Sequence, residues 1–232
     1  MRKIHKKAAA CVLGCLMMVS VIPVQAAQVQ NGTTYEVTTN LIPEWPQAPE
    51  IASETAILMD GDTGVILYNK GMDEIRYPAS ITKIMTCLLA LEKAGLEDQV
   101  TFTQTVLSDP NSGGTNIGMQ EGEILTMRQC LDVLMVQSAN DVATQIAEYV
   151  GQGSVQNFVD MMNQRAQELG CQNTHFANAS GMPDENHYTT AHDMALIFQE
   201  AIKNEVFREI IKQQNVVVEP TNKNGETRIY SC

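Results

Sequence analysis

The sequence predicts an α/β domain in which strands from the two ends of the chain share one sheet and a helical lobe lies between them. Three observations carry this. Two β-rich runs, Ala56–Met59 and Val65–Tyr68, flank the turn signal "DGDTG" and read as a hairpin. Helical periodicity then dominates from Ser80 to "EVFREIIKQQ". Strand patterns return in "NVVVEP" and "TRIYSC" around "NKNGE", where Asn224-Gly225 suits a tight hairpin turn.

Ahead of the first hairpin lie two other segments. "MRKIHKK" is a basic start, followed by an apolar run of 17 residues, Ala8 to Val24, and small residues at Val24 and Ala26. This is the pattern of a secretory signal peptide, residues 1–26, and it predicts an exported protein. The run is short for a spanning helix and contains Pro23, which weighs against an uncleaved anchor. Residues 27–50 are polar, carry Pro43, Pro46 and Pro49, and read as an extended arm. Residues 51–232 make the domain.

After the hairpin, the helix entered at Ser80 carries Ile81, Ile84, Met85, Leu88 and Leu89 on one face and stops at Gly95. "VTFTQTVLSDPNSGGTNIGMQEGE" has no steady period and reads as irregular with short strands. The next helix opens on a capping-box pair, Thr126 and Gln129, with Leu131, Leu134 and Met135 inward. "SANDVATQIAEYVG" follows, with Val142, Ile146 and Val150 on one face. The helix after it turns Val155, Phe158, Val159, Met162, Ala166 and Leu169 inward and ends at Gly170. Thr190 caps the last long helix, with Asp193 as its capping-box partner, and "EVFREIIKQQ" is one more short helix.

Composition sets limits on function. Hydrophobic content is 44% and mean hydropathy −0.13, which suits a folded globular domain. The formal net charge is −12, and no Lys/Arg run occurs beyond residue 7, so nucleic acid is not the partner. Loss of residues 1–26 removes four cations and no acid, making the rest more acidic still. Cys87, Cys130, Cys171 and Cys232 remain after it. Cys87 and Cys130 fall within apolar helical patterns, which favours free thiols. No C-x-x-C pair appears, and His175, His187 and His192 are not spaced as a compact zinc site, so no metal or other cofactor is expected.

The chemistry concentrates at Ser80 and Lys83. They are i and i+3 at the start of an apolar helix, so both project from one side. A serine hydroxyl needs a base to become nucleophilic. A lysine serves as that base when neighbouring apolar residues lower its pKa. The residues alone leave a second reading, in which Ser80 is an N-cap and Lys83 is solvated. "QSAND" adds Ser138 and Asn140 between two helices, where they either cap the following helix or face a cleft.

"PASITKIMT" with a following "SAND" resembles the serine D-Ala-D-Ala carboxypeptidases, the low-molecular-mass penicillin-binding proteins of the peptidase S11 family. "AILMDGDTGVILYNKGMDEIRYPASITKIMT", "GTNIGMQEGEILTMRQCLDVLMVQSANDVATQIAEYV" and "FVDMMNQRAQELGCQNTHFANASGMPDENHYTTAHDMALI" are similar to three successive family segments. The resemblance implies a β-lactamase/transpeptidase-like fold, with a helical lobe and an antiparallel sheet built from N- and C-terminal strands that is expected to be incomplete in this chain. It implies Ser80 as nucleophile, Lys83 as proton acceptor, Ser138 as proton relay and Asn140 as substrate-binding. The substrate would be a peptidoglycan stem peptide ending in D-Ala-D-Ala, with β-lactams as covalent inhibitors, at the outer face of the membrane. Rival readings are a β-lactamase of the same fold, for which no E-x-x-L-N pattern is found, and a non-catalytic cell-wall-binding or sensor domain. The chain departs from the family pattern in having S-A-N where S-G-N is common, and in lacking K-T-G or K-S-G. The K-T-G strand is therefore expected beyond Cys232, with the family's membrane-associating C-terminal region, and the chain is expected to be inactive without it.

Overall fold

The computed structural model describes residues 51–231 and the short backbone stretch Val37–Thr39. The signal-peptide reading and Cys232 lie outside the described residues. Seven strands and seven α-helices are described: β1 (Val37–Thr39), β2 (Ala56–Met59), β3 (Ile66–Lys70), α1 (Lys83–Lys93), β4 (Gln99–Thr101), α2 (Gln104–Leu107), β5 (Ile124–Thr126), α3 (Met127–Gln137), α4 (Asn140–Val150), α5 (Val155–Glu168), α6 (Ala191–Ala201), α7 (Glu205–Ile210), β6 (Asn215–Val218) and β7 (Arg228–Ser231).

The helix α1 is the centre of the molecule. Met85, Cys87, Leu88, Leu89 and Ala90 are buried, and α3, α4, α5, α6 and α7 all pack on it. A helix apolar around most of its circumference has to be enclosed in this way. N-caps hold the lobe in register. Thr126 and Gln129 form a reciprocal capping box, Ser154 caps α5 and Thr190 caps α6.

The β2–β3 hairpin forms around "DGDTG", where Asp60 accepts hydrogen bonds from the Thr63 backbone N–H and hydroxyl. β1 pairs with the other edge of β3, so the proline-rich arm contributes a strand that its composition did not suggest. β6 and β7 pair with each other and lie on α3. The described strands thus form three small antiparallel sheets, β1-β3-β2, β4-β5 and β6-β7, with the strands of the two ends not paired to each other among the described residues.

Four local expectations are corrected. The segment entered at Ser80 begins as a 3-10 turn, Ala79–Thr82, and becomes α-helix only at Lys83. That tighter winding moves Ile81 out of the α-helical stripe and leaves it 49% exposed. The β6–β7 connection spans residues 219–227, and its middle docks elsewhere instead of turning tightly: Asn222 pairs with Ile124 N–H and Gly122 O. The irregular stretch after β4 includes α2, capped by Thr103. The Asp193 carboxylate does not close a capping box. It accepts from the N–H groups of Gln172 and Asn173 and the hydroxyl of Thr174, tying the α5–α6 connection to α6.

Candidate active site

Lys83 enters the core because α1 has no exposed side at its first turn. The residue is 2% exposed, and its amine has three oxygen neighbours. Nζ lies 2.7 Å from Asn140 Oδ1, 2.5 Å from the Ser180 carbonyl oxygen and 3.3 Å from Ser80 Oγ. The first two can only accept. The Asn140 amide is oriented by its own Nδ2, which donates to Gly113 O at 2.6 Å. A neutral amine has two hydrogens and one lone pair. With both hydrogens given to Asn140 and Ser180, the lone pair is left for the one neighbour that can donate, the Ser80 hydroxyl. Burial pushes the Lys83 pKa down to about 8, with no charged partner to hold it up.

Ser80 itself is exposed, one 3-10 turn before Lys83. In that geometry i and i+3 eclipse, which brings hydroxyl and amine together. The backbone just before it is strained: Ala79 has φ 48°, a left-handed conformation for a residue with a Cβ. Its carbonyl is held against the Cα of Gly181, where a Cβ would come within 1.9 Å of Ala79 O. Gly181 has φ +86° and provides this close approach.

Ser138 and Asn140 flank the break between α3 and α4. Ser138 is the left-handed residue that ends α3, φ 58°, ψ 36°. Asn140 opens α4, and neither side chain caps it. The structure therefore joins Ser80, Lys83 and Asn140 directly. Ser138 is half-buried close by in sequence, with no hydrogen bond from its hydroxyl to Ser80 or Lys83. Asp141 anchors the loop over this break through the N–H groups of Ile117 and Met119.

Sequence reasoning missed that the 178–182 turn reaches Lys83 through the Ser180 carbonyl. It also missed Thr82 and His187, both buried and joined by a 2.8 Å bond. The Ala177 N–H donates to His187 Nδ1, so the ring proton sits on Nε2 and donates to Thr82 Oγ1. Burial lowers the His187 pKa to about 4, and the ring is neutral at pH 7. His175 and His192 bond elsewhere, to Asn186 O and Asp73, and no cluster of metal-ligating side chains exists among the described residues. Cys87, Cys130 and Cys171 are free thiols. A cleft of about 390 Å³, walled in part by Tyr77, Pro78, Ala79, Gly181 and Met182, opens beside the Ser80 turn.

Comparison with known proteins places this geometry. A Bacillus subtilis D-alanyl-D-alanine carboxypeptidase, DacF, is 40% identical over 163 residues, covering 67% of this chain and 41% of its own. The Streptomyces sp. K15 D-alanyl-D-alanine carboxypeptidase is 32% identical over 192 residues, 78% of this chain and 65% of its own. This chain thus spans about two fifths to two thirds of these relatives. A mutant of the Streptomyces K15 DD-transpeptidase superposes with a TM-score of 0.74 at 30% identity, covering 79% of this chain and 75% of that one. The Francisella tularensis carboxypeptidase DacD gives 0.68 at 34% identity, over 78% and 44%. The transpeptidase-like fold is thereby shown. The model of the peptidase S11 family, described as D-alanyl-D-alanine carboxypeptidase, matches residues 43–228, and the chain belongs to that family.

Proposed function

We propose that this chain carries the nucleophile and base of a serine D-Ala-D-Ala carboxypeptidase, which removes the terminal D-alanine from peptidoglycan stem peptides outside the cytoplasm. The observation that carries the reading is the Lys83 amine, buried, lowered to a pKa of about 8 and left with one direction in which to accept a proton, toward Ser80 Oγ.

Ser80 Oγ bonds to the carbonyl carbon between the two D-alanines while its proton passes to Lys83 Nζ. The carbonyl oxygen becomes an oxyanion, received by the Ser80 backbone N–H and a second N–H donor. The intermediate collapses, the C–N bond breaks, and the departing nitrogen takes a proton relayed by the Ser138 hydroxyl. Asn140 helps hold the peptide. Water then attacks the ester, again giving its proton to Lys83, and Ser80 leaves as the alcohol. At pH 7 a pKa of about 8 leaves roughly a tenth of the amines neutral, against about one in three thousand at the ordinary 10.5. β-Lactams would acylate Ser80 by the same first step.

The test is incubation of the full-length protein with a fluorescent penicillin, followed by peptide mapping. The expected result is a long-lived adduct on Ser80 and release of D-alanine from a stem pentapeptide. No adduct at Ser80 would sink the reading, and fast nitrocefin turnover would favour a β-lactamase.

A further inference from the structure

We propose that Asn178 is a positioning residue for the Ser80–Lys83 pair: its amide clamps the 178–182 turn so that one carbonyl meets the Lys83 amine and one glycine meets the backbone before Ser80. Asn178 is 2% exposed, and both ends of its amide are committed to this one turn. Oδ1 accepts from three successive backbone N–H groups, Ser180 at 3.2 Å, Gly181 at 2.7 Å and Met182 at 3.1 Å. Nδ2 donates to Met182 O at 2.9 Å. Three N–H donors converging on one buried oxygen leave the turn little freedom, and all three would be left without this acceptor if the amide were lost.

What the clamp presents is specific. The Ala179 carbonyl accepts from Thr86 Oγ1 at 2.7 Å, and the Ser180 carbonyl accepts from Lys83 Nζ at 2.5 Å. Residues 83 and 86 are one turn apart on α1, so two consecutive carbonyls dock along one side of that helix. Gly181 follows, with its Cα against the Ala79 carbonyl. Asn178 touches none of the reacting atoms. It acts by keeping water out from around Lys83 and by holding Ser180 O where it takes one amine hydrogen.

No titratable side chain is hydrogen-bonded to the Lys83 amine. On the segments that pack around it, Asp141 after Asn140 is turned to Ile117, Met119 and Val142, and His187 is turned to Thr82 and Ala177. Changes in Lys83 titration therefore report chiefly on the turn.

For its activity arm this inference rests on the function proposed above. The experiment compares N178A and N178S with wild type, all as the full-length protein, in two readouts. The first is the second-order rate of penicillin acylation against pH. The second is titration of the Lys83 side chain by NMR in lysine-labelled protein, which requires no activity. N178A releases the turn, so the Lys83 titration moves up toward that of a free amine. The acid limb of the rate profile moves with it, and the plateau at high pH falls about 10- to 100-fold. N178S keeps one weaker acceptor and lies between. A wild-type Lys83 titration in folded N178A overturns the proposal, as does a fall in rate matched by the unfolded fraction alone with limb and titration unmoved. If N178A does not fold, N178S decides, and wild-type values in it overturn the proposal. If wild type is not acylated at Ser80, the proposed function fails, and the NMR arm still judges Asn178.

Discussion

Asn140 Oδ1 faces the Lys83 amine at 2.7 Å and cannot turn away, because the other end of its amide is bonded to Gly113 O. The relationship gives Lys83 a neutral acceptor in place of a carboxylate. That choice matters: a carboxylate there would hold the amine in its charged form. Acylation of Ser80 is expected to rise about tenfold per pH unit up to pH 8 and then level off, following the neutral amine. Asn140→Asp should move this limb upward by at least about one unit and lower the rate at pH 7 at least tenfold, with partial recovery above pH 9. Stopped-flow acylation across pH 5.5–10 checks both, and an N140D limb still at pH 8 would contradict the argument.

Gly181→Ala meets two obstacles at once. Its φ of +86° is costly for a residue with a Cβ, and the added carbon would lie 1.9 Å from Ala79 O, a backbone atom that no rotamer change can move aside. The left-handed term alone is about 1–2 kcal/mol. The variant is expected to lose at least about 2 kcal/mol in urea unfolding and to acylate Ser80 at least about a hundredfold more slowly, because Ala79 must shift. Wild-type acylation in G181A would show that Ser80 does not depend on this contact.

The helical lobe was legible because its information is local. The stripe of Phe158, Val159, Met162 and Ala166, the Thr126–Gln129 box and the Thr190 cap all act within a few residues, and all appear as read. Ser80, Lys83 and Asn140 were legible as motifs, and burial of α1 explains why they meet. The 178–182 turn was not, since its carbonyl reaches Lys83 across 97 residues and its Asx-type bonds leave no period. Which strands pair was not fully legible either: β1 and β2 take the two edges of β3 and β6 pairs with β7, choices that alternation within a strand does not reveal. Ile81 was misassigned because a 3-10 turn and an α-turn share one apolar pattern.

Glu123 and Arg228 form an ion pair invisible to local pattern. Arg228 Nη2 donates to Glu123 Oε1 at 2.6 Å, and Glu123 is fully buried while also accepting from Thr221 Oγ1 and Gln120 N. The pair fastens the β6–β7 unit to the loop before β5. Removing one partner from a buried pair leaves a charge without compensation, at about 3–5 kcal/mol. Arg228→Met should cost that much in urea unfolding. Combining it with Glu123→Gln should recover part of the loss, since the stranded charge is then gone. Additive losses in the double variant would show that the two residues act independently.

The burial that lowers the Lys83 pKa also opposes folding, with a definite pH signature. Its folded pKa, about 8, lies below the ordinary 10.5 that the unfolded chain regains. Between these values the unfolded state binds more protons, so stability rises with pH through that window. Below pH 8 both states hold the proton and the full penalty applies, on the order of 3 kcal/mol from a shift of this size. Lys83→Met removes the titrating group while other groups titrate alike in both proteins. The stability of wild type relative to K83M should therefore grow by up to about 1.4 kcal/mol per pH unit from pH 8 to 10.5, and stay constant from pH 6 to 7.5. Urea unfolding of the two proteins at pH 6.5, 7.5 and 9.5 measures the difference directly. A difference that stays flat, or falls with pH, would mean that the Lys83 amine is not desolvated in the folded protein and does not have the depressed pKa that its proposed role as base toward Ser80 requires.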